Sequence, residues 1–303
     1  MRCHLPSAAC LMLCLTPPLV AAAQANVHLG DEDTESGRDF PKTLTLDEPG
    51  IDDEVSLPTF VNSPSLAGRS QRDVLFELDK RLTQRLELQV NGGYRLIDTE
   101  HGGRADGWTN TAITAKFVAV DAPASETILA FGVAQELGRT GARRIGAAQQ
   151  GAATPLIYFG QGLGAAPVPA ALRPFAMTGT LGYVIADQAR TSAGEASFHA
   201  LQIGTSLQYS LRALPPRFAP GAFGNVVPLV EFTCSLPTTS GPFHAAREVL
   251  VAPGLIYAGG SYQLAAEALL PLSQASGHGL GVIAQLNLGF SALGLESLKK
   301  ILF

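Results

Sequence analysis

The stretch Gly279-Leu-Gly-Val-Ile-Ala-Gln-Leu-Asn-Leu-Gly-Phe290 sets Leu280, Val282, Ala284, Leu286, Leu288 and Phe290 on one face of an extended chain, with Gly281, Gln285, Asn287 and Gly289 on the other. A two-residue period means that one side of a strand meets an apolar medium and the other meets polar groups or water. The same alternation recurs upstream. Leu86, Leu88, Val90, Tyr94 and Leu96 oppose Arg85, Glu87, Gln89, Asn91 and Arg95, and Leu201, Ile203, Leu207, Tyr209 and Leu211 oppose Gln202, Gly204, Ser206, Gln208 and Ser210. Tyr262, Leu264, Ala266, Ala268 and Leu270 oppose Gln263 and Glu267. The pattern predicts an all-β protein, a transmembrane antiparallel up-and-down β-barrel with an apolar outside and a wet inside.

The N-terminus supports export. Arg2 precedes an apolar run from Ala8 to Leu15, and Ala21-Ala22-Ala23 before Gln24 has the form of a cleavage site, so residues 1–23 are expected to be a signal peptide. Leu11-Met-Leu-Cys14 has the outline of a lipoprotein processing site, but Met12 and Leu13 are large where small residues are usual. Of the four cysteines, Cys3, Cys10 and Cys14 fall in the removable segment; Cys234 alone would remain, and an internal disulfide is excluded. After the signal no apolar run approaches the roughly 18 to 20 residues that a transmembrane helix needs. A net charge of -5 and the low charged fraction fit poorly with nucleic-acid binding, which calls for basic stripes.

Residues 24–69 form an acidic extension with room for a first strand. Asp31, Glu32, Asp33, Glu35, Asp39, Asp47, Glu48, Asp52, Asp53 and Glu54 face only Arg38 and Lys42, which reads as a disordered, solvated segment. It lacks the loop spacing of a calcium site.

Residues 70–290 hold the barrel. Strands are expected at Asp73–Lys80, Gln84–Ile97, Trp108–Val120, Thr127–Leu137, Pro155–Leu163, Pro174–Ile185, Phe198–Leu211, Val226–Leu236, Val249–Ala258, Tyr262–Leu272 and Gly279–Phe290. The fifth is ambiguous because Leu156, Ile157, Tyr158 and Phe159 are adjacent. Turns alternate short and long, as they do between the periplasmic and external ends of such barrels. If Thr83-Gln84 is periplasmic, the strand from Asp73 begins outside and another must precede it, between Val55 and Arg69 despite Pro58 and Pro64. Twelve strands result; ten is the alternative.

The alternation turns Glu77, Asp79, Arg81, Arg85, Glu87, Arg95, Lys116, Glu136, Glu231 and Glu267 toward the lumen. A lipid-facing Arg or Lys near the midplane would cost about 2 to 4 kcal/mol, so the inward assignment is favoured. These charges are candidate lumen-lining residues, read either as a selectivity lining or as a structural network of paired ions. No catalytic residue, metal ligand or cofactor is expected. The tail, residues 291–303, places Leu295, Leu298 and Leu302 at helical spacing beside Lys299 and Lys300. Phe290 is the favoured terminal aromatic for barrel assembly, with Phe303 the alternative.

Three segments together resemble a known family: Phe76-Glu-Leu-Asp-Lys-Arg-Leu-Thr-Gln-Arg-Leu-Glu-Leu88, Val227-Pro-Leu-Val-Glu-Phe232, and Ala252-Pro-Gly-Leu-Ile-Tyr257 with Tyr262-Gln-Leu-Ala-Ala-Glu-Ala-Leu-Leu-Pro-Leu272. The chain is similar over residues 70–303 to the outer-membrane β-barrel porin family associated with meta-pathway phenol degradation. The resemblance implies a channel or transporter in the bacterial outer membrane that passes small organic compounds, often aromatic or apolar. Glu231 and Glu267 match recurrent glutamates of that pattern, whereas the acidic extension and Ser291-Ala292 depart from it. The partners so implied are outer-membrane lipid, a small organic solute and the barrel-assembly machinery, with no nucleic acid.

Two other readings compete with transport. Outer-membrane barrels include hydrolases, and His101, His199, His244 and His278 are candidate bases, but the chain has no G-x-S-x-G and no H-E-x-x-H, so no enzyme is expected. A non-conducting barrel that serves as a structural or partner-anchoring protein of the envelope would show a plugged lumen.

Overall fold

The computed structural model describes residues 38, 40–99, 102–187, 189–191, 194–196, 199–214, 218, 221–238 and 246–299. The expected signal peptide, His101 and His244 lie outside these residues. Twelve long strands make the body: β1 Glu54–Asn62, β2 Arg69–Arg81, β3 Leu86–Thr99, β4 Ala112–Ala122, β5 Thr127–Glu136, β6 Ala152–Gly162, β7 Phe175–Ala186, β8 His199–Tyr209, β9 Val226–Pro237, β10 Glu248–Ala258, β11 Tyr262–Pro271 and β12 Gly281–Gly289. Each pairs antiparallel with its neighbours in sequence, and β1 also pairs with β12, so the sheet closes into a cylinder with no free edge. A short strand, Arg104–Trp108, pairs only with the outer part of β3 and stands outside the ring.

The strand inferred from parity is β1. Its pairing jumps from Ser56 to Thr59 against both β2 and β12, so Leu57 and Pro58 drop out of the ladder and the missing proline N–H costs no hydrogen bond. The ambiguous fifth segment is a regular strand, β6, with Ile157 outward and Tyr158 buried inward.

Outward positions are apolar and exposed around the ring: Phe60, Phe117, Phe131, Leu181, Leu207, Leu255, Leu264 and Val282. Because no protein layer covers them, the medium that they fit is hydrocarbon. Aromatic rings gather at both ends. Tyr94 packs edge-on against Trp108 toward one end, whereas Phe175 with Tyr209, and Tyr257 with Tyr262, mark the other. At this second end lie the tight turn after β2, where Thr83 Oγ1 accepts from the backbone N–H groups of Arg85 and Leu86, and both chain ends of the barrel. By the short-turn rule this is the periplasmic end.

Two details depart from the sequence reading. Phe290 does not continue the outward row of β12; it is 2% exposed, donates its N–H to the Asp53 carbonyl, and lies beneath Lys80 with Nζ 6.0 Å from the ring centre. In the tail, Glu296–Lys299 is a single 3-10 turn, with Leu298 exposed.

Candidate functional site

The acidic extension is not solvated where it is described. Residues 40–53 run inside the cylinder as an irregular loop that fills its periplasmic half. Pro41 and Pro49 deny the loop a ladder of N–H donors, so it joins no strand and holds instead through side chains. It starts at the periplasmic mouth, where Arg38 Nη1 lies 3.3 Å from Glu126 Oε2 and Nη2 donates to the Pro174 carbonyl at 2.6 Å. It rises to Thr45 and Leu46 and returns to the same mouth at Asp53. There the carboxylate takes Lys80 Nζ at 2.6 Å, Arg81 N–H at 3.0 Å and Arg81 Nε at 3.1 Å.

Two ammonium groups organise the interior. Lys42, on the loop, has Nζ 2.8 Å from Glu54 Oε1, 2.6 Å from Glu77 Oε1 and 4.0 Å from Glu48 Oε1, and it also hydrogen-bonds Asp79. Burial pushes the Lys42 pKa down, but the surrounding carboxylates outweigh it and hold the ammonium well above its ordinary range. Lys116, on the wall, reaches Asp47 at 3.3 Å, Glu48 at 3.5 Å and Glu87 at 3.2 Å, donates to the Gly50 carbonyl and lies over the Tyr158 ring. Burial alone would raise the Glu48 pKa; these two ammoniums reverse that and lower it. Glu48, Glu54 and Asp79 are close enough together to share a cation, and Lys42 already supplies it.

The loop tip is held differently. Glu231 Oε2 accepts from Thr45 N–H at 2.7 Å and from Thr45 Oγ1 at 2.6 Å, and Gln263 Nε2 donates to the Lys42 carbonyl at 2.6 Å. Leu44 packs on Leu269 and Ile283. Ile51 joins Val118, Ile128, Ala130 and Tyr158. Missing side chains on the wall make room: a Cβ at Gly204 would overlap Leu46, and one at Gly160 would press on Pro49 and Phe40. Gly254 serves the same purpose within the wall, letting the Glu267 side chain cross β10.

Every strand contributes an inward residue at most 1% exposed at this level: Ser56, Asp79, Glu87, Lys116, Ala130, Tyr158, Thr178, Ser206, Glu231, Ala252, Gln263 and Asn287. The loop itself touches this ring at Asp79, Glu87, Lys116, Tyr158, Glu231 and Gln263, and so fills much of the periplasmic half of the lumen.

The expected lumen charges divide into three groups. Glu77, Asp79, Arg81, Glu87, Lys116, Glu231 and Glu267 point into the cylinder beside the loop. Arg95 faces inward nearer the outside, where its guanidinium grips Asp73 through two bonds of 2.9 Å, and Glu136 sits at the external end of β5 accepting from Asn110 at 2.6 Å. Arg85 does not line the lumen: it is exposed in the turn before β3, because the strand begins at Leu86 and the polypeptide is still reversing direction. His199 stacks on Tyr183 with ring centres 6.0 Å apart, and His278 pairs through its backbone with Ser65. The contacts that sequence reasoning missed are those of Lys42, Thr45, Asp47 and Glu48.

Above the loop the lumen opens into a chamber of about 900 Å³, with Leu44, Thr45, Leu46 and Asp47 in its floor and Ser63, Pro64 and Ser276 near its external rim.

No protein-family model and no curated protein sequence matches the chain. Among solved structures, it is similar to an outer membrane channel from Pseudomonas putida F1, with a TM-score of 0.57 and 12% identity over 85% of this chain and 99% of the other. It is also similar to the NanC porin, with a TM-score of 0.50 and 6% identity over 78% of this chain and 98% of the other. At these identities the likeness is one of fold. Together with the closed ring and its apolar exterior, it makes the architecture that of a bacterial outer-membrane β-barrel.

Proposed function

We propose that this barrel is a channel for small organic compounds, closed at its periplasmic half by its own N-terminal loop. The observation that carries the reading is the chemistry beneath the loop. Besides the apolar contacts of Leu44 and Ile51, the loop lies on Asp79, Glu87, Lys116, Glu231 and Gln263 of the wall, groups that water would solvate if the loop withdrew. A permanently filled interior has no need of such groups, since apolar packing is as stable as or more stable than buried ion pairs. The loop is attached to the wall by ion pairs, hydrogen bonds and small apolar contacts, with no shared ladder. The likeness to an outer membrane channel supports passage of small solutes, and the family resemblance alone points to aromatic or apolar ones.

The filled lumen also supports a second reading, a non-conducting envelope barrel that anchors a partner. Planar-bilayer conductance and liposome uptake separate the two. The channel reading expects a mostly closed full-length protein and a steadily conducting form lacking residues 38–53. A loop-deleted barrel that folds yet passes neither ions nor small solutes would favour the anchor.

A further inference from the structure

The two limbs of the loop are held by unlike contacts. At one limb Asp53 is 1% exposed, takes Lys80, the Arg81 guanidinium and the Arg81 N–H on its carboxylate, accepts the Phe290 N–H on its carbonyl, and passes at once into β1. That limb cannot leave without disturbing the sheet. At the other limb a single guanidinium, that of Arg38, sits 11% exposed at the periplasmic mouth. It rests on Glu126 and on the carbonyls of Arg173 and Pro174.

The receiving side of this second contact is built for a cation. Glu126 closes the turn between β4 and β5 in the left-handed region, with φ 51°, where Gly or Asn would sit with less strain. What Glu supplies there and Gly would not is a carboxylate. Gly162 and Gly164, at the end of β6, leave the space that it fills: a Cβ at either would overlap its oxygens, and one at Gly162 would also press on Arg38 Cδ. Gly164 N–H donates to Glu126 Oε2 at 2.9 Å and Gly162 N–H donates to the Glu126 carbonyl at 2.8 Å, so backbone groups hold the carboxylate in place independently of Arg38.

The acceptors are spread. Glu126 Oε2 and the Arg173 carbonyl lie 3.3 and 3.2 Å from Nη1, and the Pro174 carbonyl lies 2.6 Å from Nη2. A guanidinium carries its N–H donors in a flat, rigid fork and meets such a set with two nitrogens at once, whereas an ammonium is a compact point charge.

We propose that this clasp is an exchangeable guanidinium site and the latch of the loop: a small alkylguanidinium compound arriving from the periplasm takes the place of Arg38, and the Arg38 limb comes free while the Asp53 limb holds. The inference rests on the reading of the loop as a removable closure and adds the class of ligand that releases it.

Two measurements on the full-length protein in detergent test it. In isothermal titration, Arg38→Ala should bind ethylguanidinium in the emptied clasp about tenfold more tightly than ethylammonium, and adding Glu126→Gln should abolish the difference. In limited proteolysis, Arg38→Ala and Glu126→Gln should each expose residues 40–53 to proteinase K about tenfold faster than in the parent, with Arg38→Lys close behind. Ethylguanidinium, at the concentration that saturates Arg38→Ala, should accelerate cleavage of the parent and leave Arg38→Ala unchanged. Should Glu126→Gln fail to fold, Gly164→Ala, which crowds the carboxylate without altering a charge, takes its place. Equal binding of the two probes, binding that survives loss of the carboxylate, a loop indifferent to Arg38, or a parent whose loop ethylguanidinium does not release would overturn the proposal. Planar-bilayer conductance reports separately on the channel: a loop released without conductance sustains the latch and removes the channel, whereas conductance with a loop indifferent to Arg38 does the reverse.

Discussion

Lys42→Met removes the cation at the centre of the loop while keeping the length of the side chain. The ammonium is 6% exposed and lies within hydrogen-bonding distance of Glu54, Glu77 and Asp79. Breaking one partner out of a buried ion pair costs about 3 to 5 kcal/mol, because the remaining charge is stranded without water. Here the stranded carboxylates belong to the wall and have an escape: if the loop withdraws, water reaches them. The penalty therefore falls on the closed state and spares the open barrel. At about 1.4 kcal/mol per tenfold, the ratio of closed to open protein should drop by roughly 10² to 10⁴. Single-channel recordings should change from rare openings to sustained conductance, and proteinase K should cleave residues 40–53 in the variant but not in the parent. The β-sheet itself should melt as before. A variant that stays closed and protected would refute the assignment of the loop as an ion-paired plug.

Three further substitutions probe other contacts. Gly204→Val places a side chain where Leu46 now lies, and overpacking of this kind costs about 1 to 3 kcal/mol, so conductance should rise; adding Leu46→Ala should restore closure, and its failure to do so would remove Gly204 as the seat of the tip. Thr45→Val deletes one of two donors to Glu231 and should weaken loop retention by about 1 to 3 kcal/mol, read as faster proteolysis of the loop; an unchanged rate would mean that the tip is not held there. Leu181→Arg puts a charge on the outward face in the middle of β7 and should lower unfolding stability in lipid bilayers by about 2 to 4 kcal/mol; no loss in a urea titration would argue that this face does not meet hydrocarbon.

The cylinder was legible because its rule is local. Strand by strand, the alternation in segments such as Leu201–Tyr209 states which side meets lipid, and the parity of the turns demanded a strand that Pro58 had hidden. The structure shows why that strand survives: the ladder skips Leu57 and Pro58 on both sides. The structure places Arg85 in the turn because the strand starts at Leu86, two residues later than the expected Gln84. The loop was illegible for the opposite reason. Its partners are distant in sequence: Lys116 lies 69 residues from Asp47, and Glu231 lies 186 from Thr45. Read locally, a run of acids looks like a chain seeking water. A signal was present even so, for Phe40, Leu44, Leu46 and Ile51 are apolar side chains that a solvated acidic run would not need, and Lys42 is, with Arg38, one of two cations among the carboxylates. The apolar seat of Leu44 was hidden too, because Ile283 breaks the polar row of β12 and acquires meaning only beside Leu269.

The loop enters and leaves through one mouth, with Arg38 tied near Pro174 and Asp53 tied to Arg81 at the same level. A bight of cord drawn into a tube can be pulled straight out again, with neither end passing through the bore. Release would need the Arg38 moorings to slip and the backbone near Asp53 to swing, while β1 keeps its place between β2 and β12. Opening would thus leave the seam of the cylinder untouched, and the same loop, residues 40–53, would return to its seat as often as it left it.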